Sequence, residues 1–399
     1  MKILVVCQYY YPEQFRINDM CESFVKKGHE VTVLTGLPNY PEGIIPKEYK
    51  HRNKRNETIN GVKIIRCFEI GRRKGTIFRI LNYLSYMCSA SLKANFLKEK
   101  FDIIYVYQLS PITMVMPAII YKRKHKNKKI HLYCLDLWPE SLLVDSFDKN
   151  SIIYKFTRKI SIWFYNKCDF ISVTSKGFID YFIKDLKINK QIEYLPQYAE
   201  DNYIKSEYET KDDEKLNLVF AGNIGKAQNV EVVIKSASYL KKYDIMFHII
   251  GDGASLENCK KLAEKLQLNN VTFYGRKPIT EMQKYYNMAD AMIISLAKNS
   301  VISRTIPGKL QSYMASGKPI IGSIDGETQN IIREAQCGYC GNAEDAIELA
   351  NIIKKFNETD AIEKARMANC SYQYYENNFN KEKVINKLLM IFKEETENV

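Results

Sequence analysis

Short apolar runs alternate with longer amphipathic segments in the first half of the chain. Residues 2–7 and 31–35 have the continuous apolar character of buried strands, and residues 18–27 repeat apolar positions with helical spacing before Gly28. More strand-like runs follow, several of them separated by helical patterns, at 62–68, 102–107, 129–135 and 170–174. Strand–helix–strand alternation predicts a parallel sheet that is covered by helices on both faces.

The same pattern restarts in the second half. Helical segments at 230–240 and 256–266 lie among strand-like runs at 216–221, 246–250, 271–274, 291–295 and 319–322. We therefore expect an α/β protein with two Rossmann-like, doubly wound domains. Residues 1–198 are expected to form the first domain and residues 199–375 the second. Residues 376–399 are expected to form a terminal helix that packs back on the first domain.

Three of the later strand-like runs are followed directly by glycine, at Gly222, Gly251 and Gly275. Ligands of open α/β sheets bind at the carboxyl ends of the strands, and glycine there allows backbone N–H groups to approach a phosphate closely. A single glycine of this kind also fits an ordinary tight turn, so the prediction of a phosphate ligand depends on their grouping. Neither a full G-x-G-x-x-G nor a Walker A motif is present, which argues against NAD(P) and P-loop chemistry.

Six segments are similar to one enzyme family. They are residues 2–13, 28–34, 37–43, 135–141 (LDLWPES), 221–225 (AGNIG) and 307–319 (PGKLQSYMASGKP). The chain resembles the family-four retaining glycosyltransferases along nearly its whole length, and within them the WbuB/CapL-like branch of capsule and O-antigen synthesis. The resemblance implies the GT-B architecture, in which two Rossmann-like α/β domains enclose an inter-domain cleft.

The resemblance also implies a reaction and its substrates. It leads us to expect transfer of a sugar such as N-acetylfucosamine, with retention, from a UDP donor to a polyprenyl-diphosphate-linked saccharide. Many family-four enzymes have two glutamates eight positions apart at the donor site, where this chain has Ser303 and Gln311. The Gln311 amide can still hydrogen-bond ribose hydroxyls, whereas Ser303 lacks the reach of a glutamate.

The donor site is expected in the second domain. Lys309 is the main candidate cation for the diphosphate because it opens a predicted helix, whose dipole adds to its charge; a surface lysine is the alternative. The other donor candidates are Gly222, Asn223, Gly225, Lys226, Gly251, Arg276, Leu310 and Gln311. Fixed cations and backbone dipoles can neutralise a leaving diphosphate, and we find no Asp-x-Asp-like carboxylate cluster in a suitable loop. We therefore expect no metal and no cofactor.

The acceptor is expected in the first domain. Asp136 follows a predicted strand, and Asp136 and Glu140 are the candidate catalytic base or acceptor-positioning groups. Two alternatives stay open: Asp136 caps the turn around Trp138, or the donor phosphate itself takes the acceptor proton. Glu13 and Arg16 lie in the first strand–helix loop, where Arg16 reaches either a phosphate or a salt-bridge partner in the loop.

Charge is distributed unevenly along the chain. The net charge is +13, and the whole excess lies in residues 1–200. A basic half of this kind favours an anionic partner, which can be a phosphate-bearing lipid, a membrane surface or a nucleic acid. Within it, residues 76–98 place polar side chains three or four positions apart, on one narrow stripe of a predicted helix that is otherwise apolar.

A basic run precedes this helix, and apolar residues lie within it. Electrostatic attraction to anionic lipids and apolar insertion together hold a protein at an anionic membrane. The candidate membrane residues are Arg72, Arg73, Lys74, Phe78, Leu81, Leu84 and Met87. Residues 152–167 repeat the same chemistry more weakly. A helix buried inside the first domain is the alternative.

Two other functions are weighed against this one. A UDP-sugar 2-epimerase shares the two-domain fold but does not need a basic, apolar membrane face. A nucleic-acid-binding protein fits the basic half, but no helix-turn-helix, zinc-finger or RNA-recognition motif is present, so we expect no nucleic acid. Ten scattered cysteines, a short first apolar run and no long uncharged apolar stretch predict a cytoplasmic protein, peripheral at the inner face of the membrane.

Overall fold

The computed structural model describes residues 1–73, 75–144, 148–199, 201, 203, 205 and 215–397. The chain forms two compact units: unit 1 is Met1–Leu195 with Ile385–Val399, and unit 2 is Pro196–Val384. Each unit is a Rossmann-like α/β domain with a parallel or nearly parallel sheet, which confirms the predicted fold class.

Unit 1 is built on one eight-stranded sheet. Its strands are β1 (Lys2–Val6), β2 (Glu30–Thr35), β3 (Asn56–Ile59), β4 (Val62–Arg66), β5 (Ile103–Gln108), β6 (Lys129–Cys134), β7 (Phe170–Val173) and β8 (Ile192–Tyr194). They lie in the order β3-β4-β2-β1-β5-β6-β7-β8, and all neighbours are parallel except β3 and β4. The edge strands β3 and β8 fall outside the predicted runs because they are short and only partly buried.

The helices of unit 1 cover both faces of this sheet. They are α1 (Arg16–Lys26), α2 (Thr76–Phe96), α3 (Met116–Lys124), α4 (Ser141–Val144), α5 (Ile152–Lys167) and α6 (Lys176–Asp180). The crossover from β1 to β2 runs along the sheet in the opposite direction to those that contain α2, α3 and α5. Because such crossovers are right-handed, α1 lies on one face and α2, α3 and α5 lie together on the other.

Unit 2 is built on a six-stranded parallel sheet. Its strands are β9 (Leu216–Ala221), β10 (Ile245–Ile250), β11 (Val271–Gly275), β12 (Ala291–Ser295), β13 (Ile320–Ser323) and β14 (Gly338–Gly341), in the order β11-β10-β9-β12-β13-β14. Its helices are α7 (Val230–Tyr239), α8 (Leu256–Lys265), α9 (Met282–Met288), α10 (Gly308–Ala315), α11 (Glu327–Glu334), α12 (Ala346–Glu358) and α13 (Ala361–Asn378). The carboxyl ends of β9 and β10 are neighbours, which brings the glycine loops together.

The terminal helix begins at Lys381 and not at residue 376, because α13 continues to Asn378. It is α14 (Lys381–Glu397), and from Ile385 onward it is part of unit 1. Phe392 is fully buried against Phe24, Tyr105 and His131, with ring centroids 5.2–6.0 Å apart. Glu395 Oε1 lies 2.7 Å from His131 Nδ1. The C-terminal end of the chain therefore completes the core on the α1 face of unit 1.

Candidate functional site

Two glycine loops at the carboxyl ends of β9 and β10 pack directly against each other. Gly222 and Gly251 have φ values of 140° and 141°, which side-chain-bearing residues rarely adopt. A Cβ added to Gly251 would lie 1.8 Å from the carbonyl oxygen of Gly222. Both residues are thus required by the turn and by loop–loop packing, and the Gly222 backbone N–H donates to the carbonyl oxygen of Ile250 (2.9 Å).

Lys309 approaches Gly222 from the first turn of α10. Its ammonium is buried without a hydrogen-bond partner, 3.7 Å from the centroid of the Phe220 ring. It also lies 3.3 Å from the position that a Cβ of Gly222 would occupy. Burial lowers the pKa of Lys309 from 10.5 to about 7, because the charged form has lost its water without gaining a counter-ion. This geometry provides a cation beside a helix N-terminus and a glycine turn.

The other α10 candidates are fully buried. Leu310 is in the hydrophobic core of unit 2, and its backbone N–H donates to the carbonyl of Pro307. Gln311 is fully buried, and with its amide nitrogen turned towards the carbonyl oxygens of Pro307 and Gly308 it donates to both at 3.0 Å. Leu310 therefore packs in the core and the Gln311 amide hydrogen-bonds the first turn of its own helix, and the assignment of both residues to the donor site stays a prediction.

The remaining donor candidates occupy neighbouring loops of unit 2. Asn223 donates to Gln228 Oε1 at 3.0 Å, and Gly225 precedes the short helical turn that begins at Lys226. Lys226 and Arg276 are exposed, and Arg276 follows β11, two strands away from β9. None of these four contacts Lys309 directly in the hydrogen bonds and ion pairs of the described residues.

Ser303 lies close to a glycine that the sequence did not single out. A Cβ on Gly326, at the N-terminus of α11, would lie 2.1 Å from the carbonyl oxygen of Ser303. The loops that follow β12 and β13 therefore meet at this point. The small Ser303 side chain lies at their junction and is half-exposed.

In unit 1, Glu13 is a buried carboxylate that organises the loop after β2. Its Oε1 accepts hydrogen bonds from the backbone N–H groups of Asn39 (2.7 Å) and Tyr40 (2.6 Å). Burial raises the pKa of Glu13 to about 7. Arg16 is the first residue of α1 and is half-buried. Glu13 thus acts on the protein backbone, and only Arg16 of this pair keeps partial access to solvent.

A polar cluster that sequence reasoning missed lies behind this loop. Glu69 is fully buried and accepts hydrogen bonds from the amides of Gln8 (2.9 Å), Asn39 (3.1 Å) and Asn82. Burial raises the pKa of Glu69 to about 8. Its members come from four separate loops and helices, so no local pattern in the sequence marks them. The cluster ties α2, through Asn82, to the loops at the carboxyl edge of the sheet.

The two carboxylates of the LDLWPES segment have different surroundings. Asp136 Oδ2 accepts a hydrogen bond from Ser110 Oγ (2.9 Å), which in turn accepts from Trp138 Nε1 (2.9 Å). Burial raises the pKa of Asp136. Glu140 is buried and accepts a 2.6 Å hydrogen bond from the hydroxyl of Tyr154 on α5. Glu140 therefore contacts α5 through Tyr154, and the roles of Asp136 and Glu140 as base or acceptor-positioning groups stay predictions.

Helix α2 turns its polar stripe towards the sheet. Asn82 is fully buried, Ser85 Oγ accepts from the Ile70 N–H (2.9 Å), and Ser89 Oγ donates to the Phe68 carbonyl. Large apolar side chains consequently face away from the sheet and are exposed: Ile77, Phe78, Ile80, Leu81, Leu84, Leu92 and Phe96. Met87 is half-buried. The outward face of α2 is therefore apolar.

Basic residues flank this face. Arg72 is half-buried with its guanidinium 5.7 Å from the Tyr83 ring, and exposed Arg73 lies 5.6 Å from the Phe78 ring. Lys74 lies outside the described residues. On the same side of the sheet, α5 exposes Ile152, Ile153, Phe156 and Trp163. Helices α2, α3 and α5 contain no Asp or Glu.

Two family models match the chain, one for each unit. The Glycosyltransferase Family 4 model matches residues 15–197, and the Glycosyl transferases group 1 model matches residues 201–374. The chain is a glycosyltransferase. It is 22% identical, over 349 residues, to the putative colanic acid biosynthesis glycosyl transferase WcaI of Escherichia coli K12, a match that covers 82% of this chain and 84% of WcaI.

Solved structures share the fold of this glycosyltransferase. Sucrose-phosphate synthase of Thermosynechococcus elongatus is similar with a TM-score of 0.78 and 14% identity, over the whole of both chains. HepE of Anabaena, in complex with UDP, is similar with a TM-score of 0.71 and 13% identity, over 99% of this chain and 100% of HepE. These likenesses confirm the GT-B fold. The WbuB/CapL-like branch is a finer assignment and stays a prediction.

Two further properties of the transferase concern metals and membranes. Among the described residues, no group of three His, Cys, Asp or Glu side chains is placed to hold a metal ion. The helices in the described part of the chain are too short or too polar to span a bilayer.

Proposed function

We propose that this glycosyltransferase moves a sugar from a UDP donor to a polyprenyl-diphosphate-linked saccharide, with retention of configuration and without a metal ion. The sugar that we propose is an N-acetylated deoxyhexosamine such as N-acetylfucosamine, and the product is a surface polysaccharide of the capsule or O-antigen kind. The similarity to WcaI, which is named for colanic acid biosynthesis, supports the polysaccharide class. The similarity to HepE, solved with UDP, supports the nucleotide.

The observation that carries the proposal is the unpartnered ammonium of Lys309. A buried ammonium without a hydrogen-bond partner is unfavourable, and a bound anion would compensate its charge. A diphosphate supplies that compensation, since its oxygens can bind the ammonium and the backbone N–H groups at the N-terminus of α10. The same contacts become stronger as negative charge develops on the leaving UDP, which lowers the barrier to transfer.

The acceptor hydroxyl needs a proton acceptor on the face from which the UDP departs. In a retaining reaction of this kind, an oxygen of the donor phosphate takes the proton, and Asp136 orients the acceptor from the end of β6. Burial raises the pKa of this carboxyl, because the charged form has lost water. Ser110 and Trp138 hold the Asp136 side chain in one orientation.

We further propose that unit 1 binds the inner surface of the cytoplasmic membrane, where a polyprenyl-linked acceptor is held. The outward face of α2 provides apolar area, and α5 adds to it on the same side of the sheet. The absence of acidic residues from α2, α3 and α5 makes this side complementary to anionic lipids. Apolar insertion and charge together anchor a protein where either term alone is too weak.

Ligand-induced stabilisation tests the donor assignment. UDP at about 100 times its Kd should raise the free energy of unfolding by about 2.7 kcal/mol, whereas uridine, which lacks the diphosphate, should have little effect at the same concentration. A panel of UDP-sugars then identifies the donor, and NMR of the product anomer tests retention. Equal stabilisation by UDP and uridine would refute the role of the Lys309 site.

A further inference from the structure

Three aromatic side chains form a cluster at the carboxyl ends of β1 and β2. The Tyr9 and Phe15 rings are stacked with centroids 5.4 Å apart and planes inclined by 20°, and Phe15 and Tyr40 are also 5.4 Å apart. Tyr9 is 3% exposed, whereas Tyr40 is 47% exposed. We call these three residues the aromatic platform. Tyr9 is its buried side and Tyr40 is its exposed side, which is called its top.

The top of the aromatic platform is held rigidly. The backbone N–H groups of Asn39 and Tyr40 both donate to the buried Glu13 carboxylate. The Asn39 side chain donates to the Leu37 carbonyl (2.9 Å) and to Glu69 (3.1 Å). Exposed tyrosines on mobile loops lose entropy when they bind a ligand, and this one is already ordered, which favours a binding role.

A cation lies next to the aromatic platform. The Arg72 backbone N–H donates to Asn39 Oδ1 at 2.9 Å, so the Arg72 loop is fastened to the residue that precedes Tyr40. Its half-buried guanidinium lies over the Tyr83 ring of α2, and the exposed Arg73 follows. The next turn of chain begins the apolar outward face of α2, at Ile77. An aromatic surface, a cation and an apolar face thus adjoin one another in unit 1.

We propose that this sequence of surfaces binds the acceptor: the aromatic platform stacks on a pyranose ring, Arg72 binds the diphosphate, and the start of α2 lies along the isoprenoid tail. The assignment rests on the proposed function and adds residues to it. The C–H face of a pyranose is apolar and packs on an aromatic ring as other apolar groups do, while its hydroxyls remain free for orientation. Arginine binds phosphate oxygens with paired N–H groups.

Two probes separate the parts of this site: farnesyl diphosphate, and farnesyl diphosphate that carries N-acetylglucosamine. Titration calorimetry should show that the wild-type enzyme binds the sugar-bearing probe at least five-fold more tightly. Tyr40→Ala should abolish this difference and leave farnesyl diphosphate binding unchanged. Tyr40→Phe, which keeps the ring, should retain the difference. Arg72→Gln should weaken both probes by a similar factor of five or more.

Tyr239→Ala is the matched control, because Tyr239 is 52% exposed on α7 of unit 2. Equal wild-type affinity for the two probes, or equal effects of Tyr40→Ala and Tyr239→Ala, would overturn the proposal. Melting temperatures of all variants show whether each is folded. UDP binding is measured in parallel. If the wild-type enzyme did not bind UDP, the donor assignment would be refuted. If it bound UDP but had equal affinity for the two probes, only the acceptor site would be refuted.

Discussion

Lys309 gives the proposed donor site a dependence on pH. Its pKa is about 7 in the folded protein, against 10.5 for an ordinary lysine. Between these two values the unfolded chain binds more protons than the folded protein, so this residue makes the free energy of unfolding increase as pH rises from 7 to 10.5. Below pH 7 the charged form is buried at full cost. A bound diphosphate reverses this effect, because it stabilises the charged form.

Replacement of Lys309 by methionine tests its role in binding while the volume of the side chain is retained. Lys309→Met should weaken UDP binding by about 1.5–3 kcal/mol, the usual range for a charge-assisted hydrogen bond. It should not lower the stability of the ligand-free protein, since it removes an unpartnered charge. Calorimetric titration measures the first effect and thermal melting the second. Exposed Lys242 provides the control Lys242→Met, and equal UDP affinities of the two variants would contradict the assignment.

Proton uptake provides a second, independent test at the same residue. At pH 8 most Lys309 side chains are neutral in the free enzyme, and UDP binding should protonate them. The phosphate groups, with second pKa values of about 6, are already ionised at this pH. Titrations in buffers of different ionisation enthalpy should therefore show uptake of up to one proton by the wild-type enzyme, and little by Lys309→Met. Equal proton uptake by both proteins would show that another group is responsible.

The two acidic residues of LDLWPES show the limit of sequence reasoning at the scale of residues. Both lie just after β6, and the sequence alone made them equivalent candidates. The structure separates them, because Glu140 is directed to the Tyr154 hydroxyl on α5 and Asp136 to Ser110 after β5. Ser110 and Tyr154 are both distant in sequence from the carboxylates that they contact, and the orientation of the turn decides which carboxylate each one meets. No local pattern distinguishes the two roles.

At the scale of elements, α14 is a structural part of unit 1. Phe392→Ala should lower the free energy of unfolding of unit 1 by about 3–5 kcal/mol, because it leaves a cavity among Phe24, Tyr105 and His131. The exposed neighbour Met390 provides the control Met390→Ala, with an expected change within about 0.5 kcal/mol. Both tryptophans, Trp138 and Trp163, lie in unit 1, so their fluorescence reports its unfolding. Equal stability of the two variants would contradict this role of α14.

The outward face of α2 allows a membrane test that leaves the core intact. Ile80→Ser combined with Leu84→Ser should reduce binding to phosphatidylglycerol vesicles several-fold, because apolar area is lost from the insertion surface. The melting temperature should change little, since both side chains are exposed. Ile362→Ser, on the exposed surface of α13, is the control. Unchanged sedimentation with vesicles would exclude α2 as the anchor and direct attention to α5.

At the scale of the whole molecule, the charge is divided between the two units. The basic excess lies in the half of the sequence that forms unit 1, and the proposed donor site lies in the near-neutral half that forms unit 2. Binding to anionic vesicles should accordingly weaken as salt is raised, while UDP binding at the buried Lys309 should be less sensitive to salt. The two salt dependences differ because dissolved ions screen exposed charges more strongly than buried ones.

The whole reaction is expected to proceed without a divalent ion. Transfer from a UDP-sugar should persist in EDTA at no less than half of its rate, because Lys309 and the N-terminus of α10 neutralise the leaving diphosphate. The control is addition of magnesium or manganese to the chelated enzyme, which should not raise the rate. Loss of activity in EDTA that either ion restores would contradict this expectation.

The order of apolar runs by itself determined that the protein has two parallel sheets with glycine turns, because buried parallel strands must be apolar along their whole length. Family motifs placed Lys309 at the start of a helix. Only the tertiary structure decided that the polar stripe of α2 faces inward, and that the Gln311 amide is buried against the first turn of its own helix. It also joined Gln8, Asn39, Glu69 and Asn82 in one buried cluster, because such contacts depend on how distant segments pack and leave no periodic trace in the sequence.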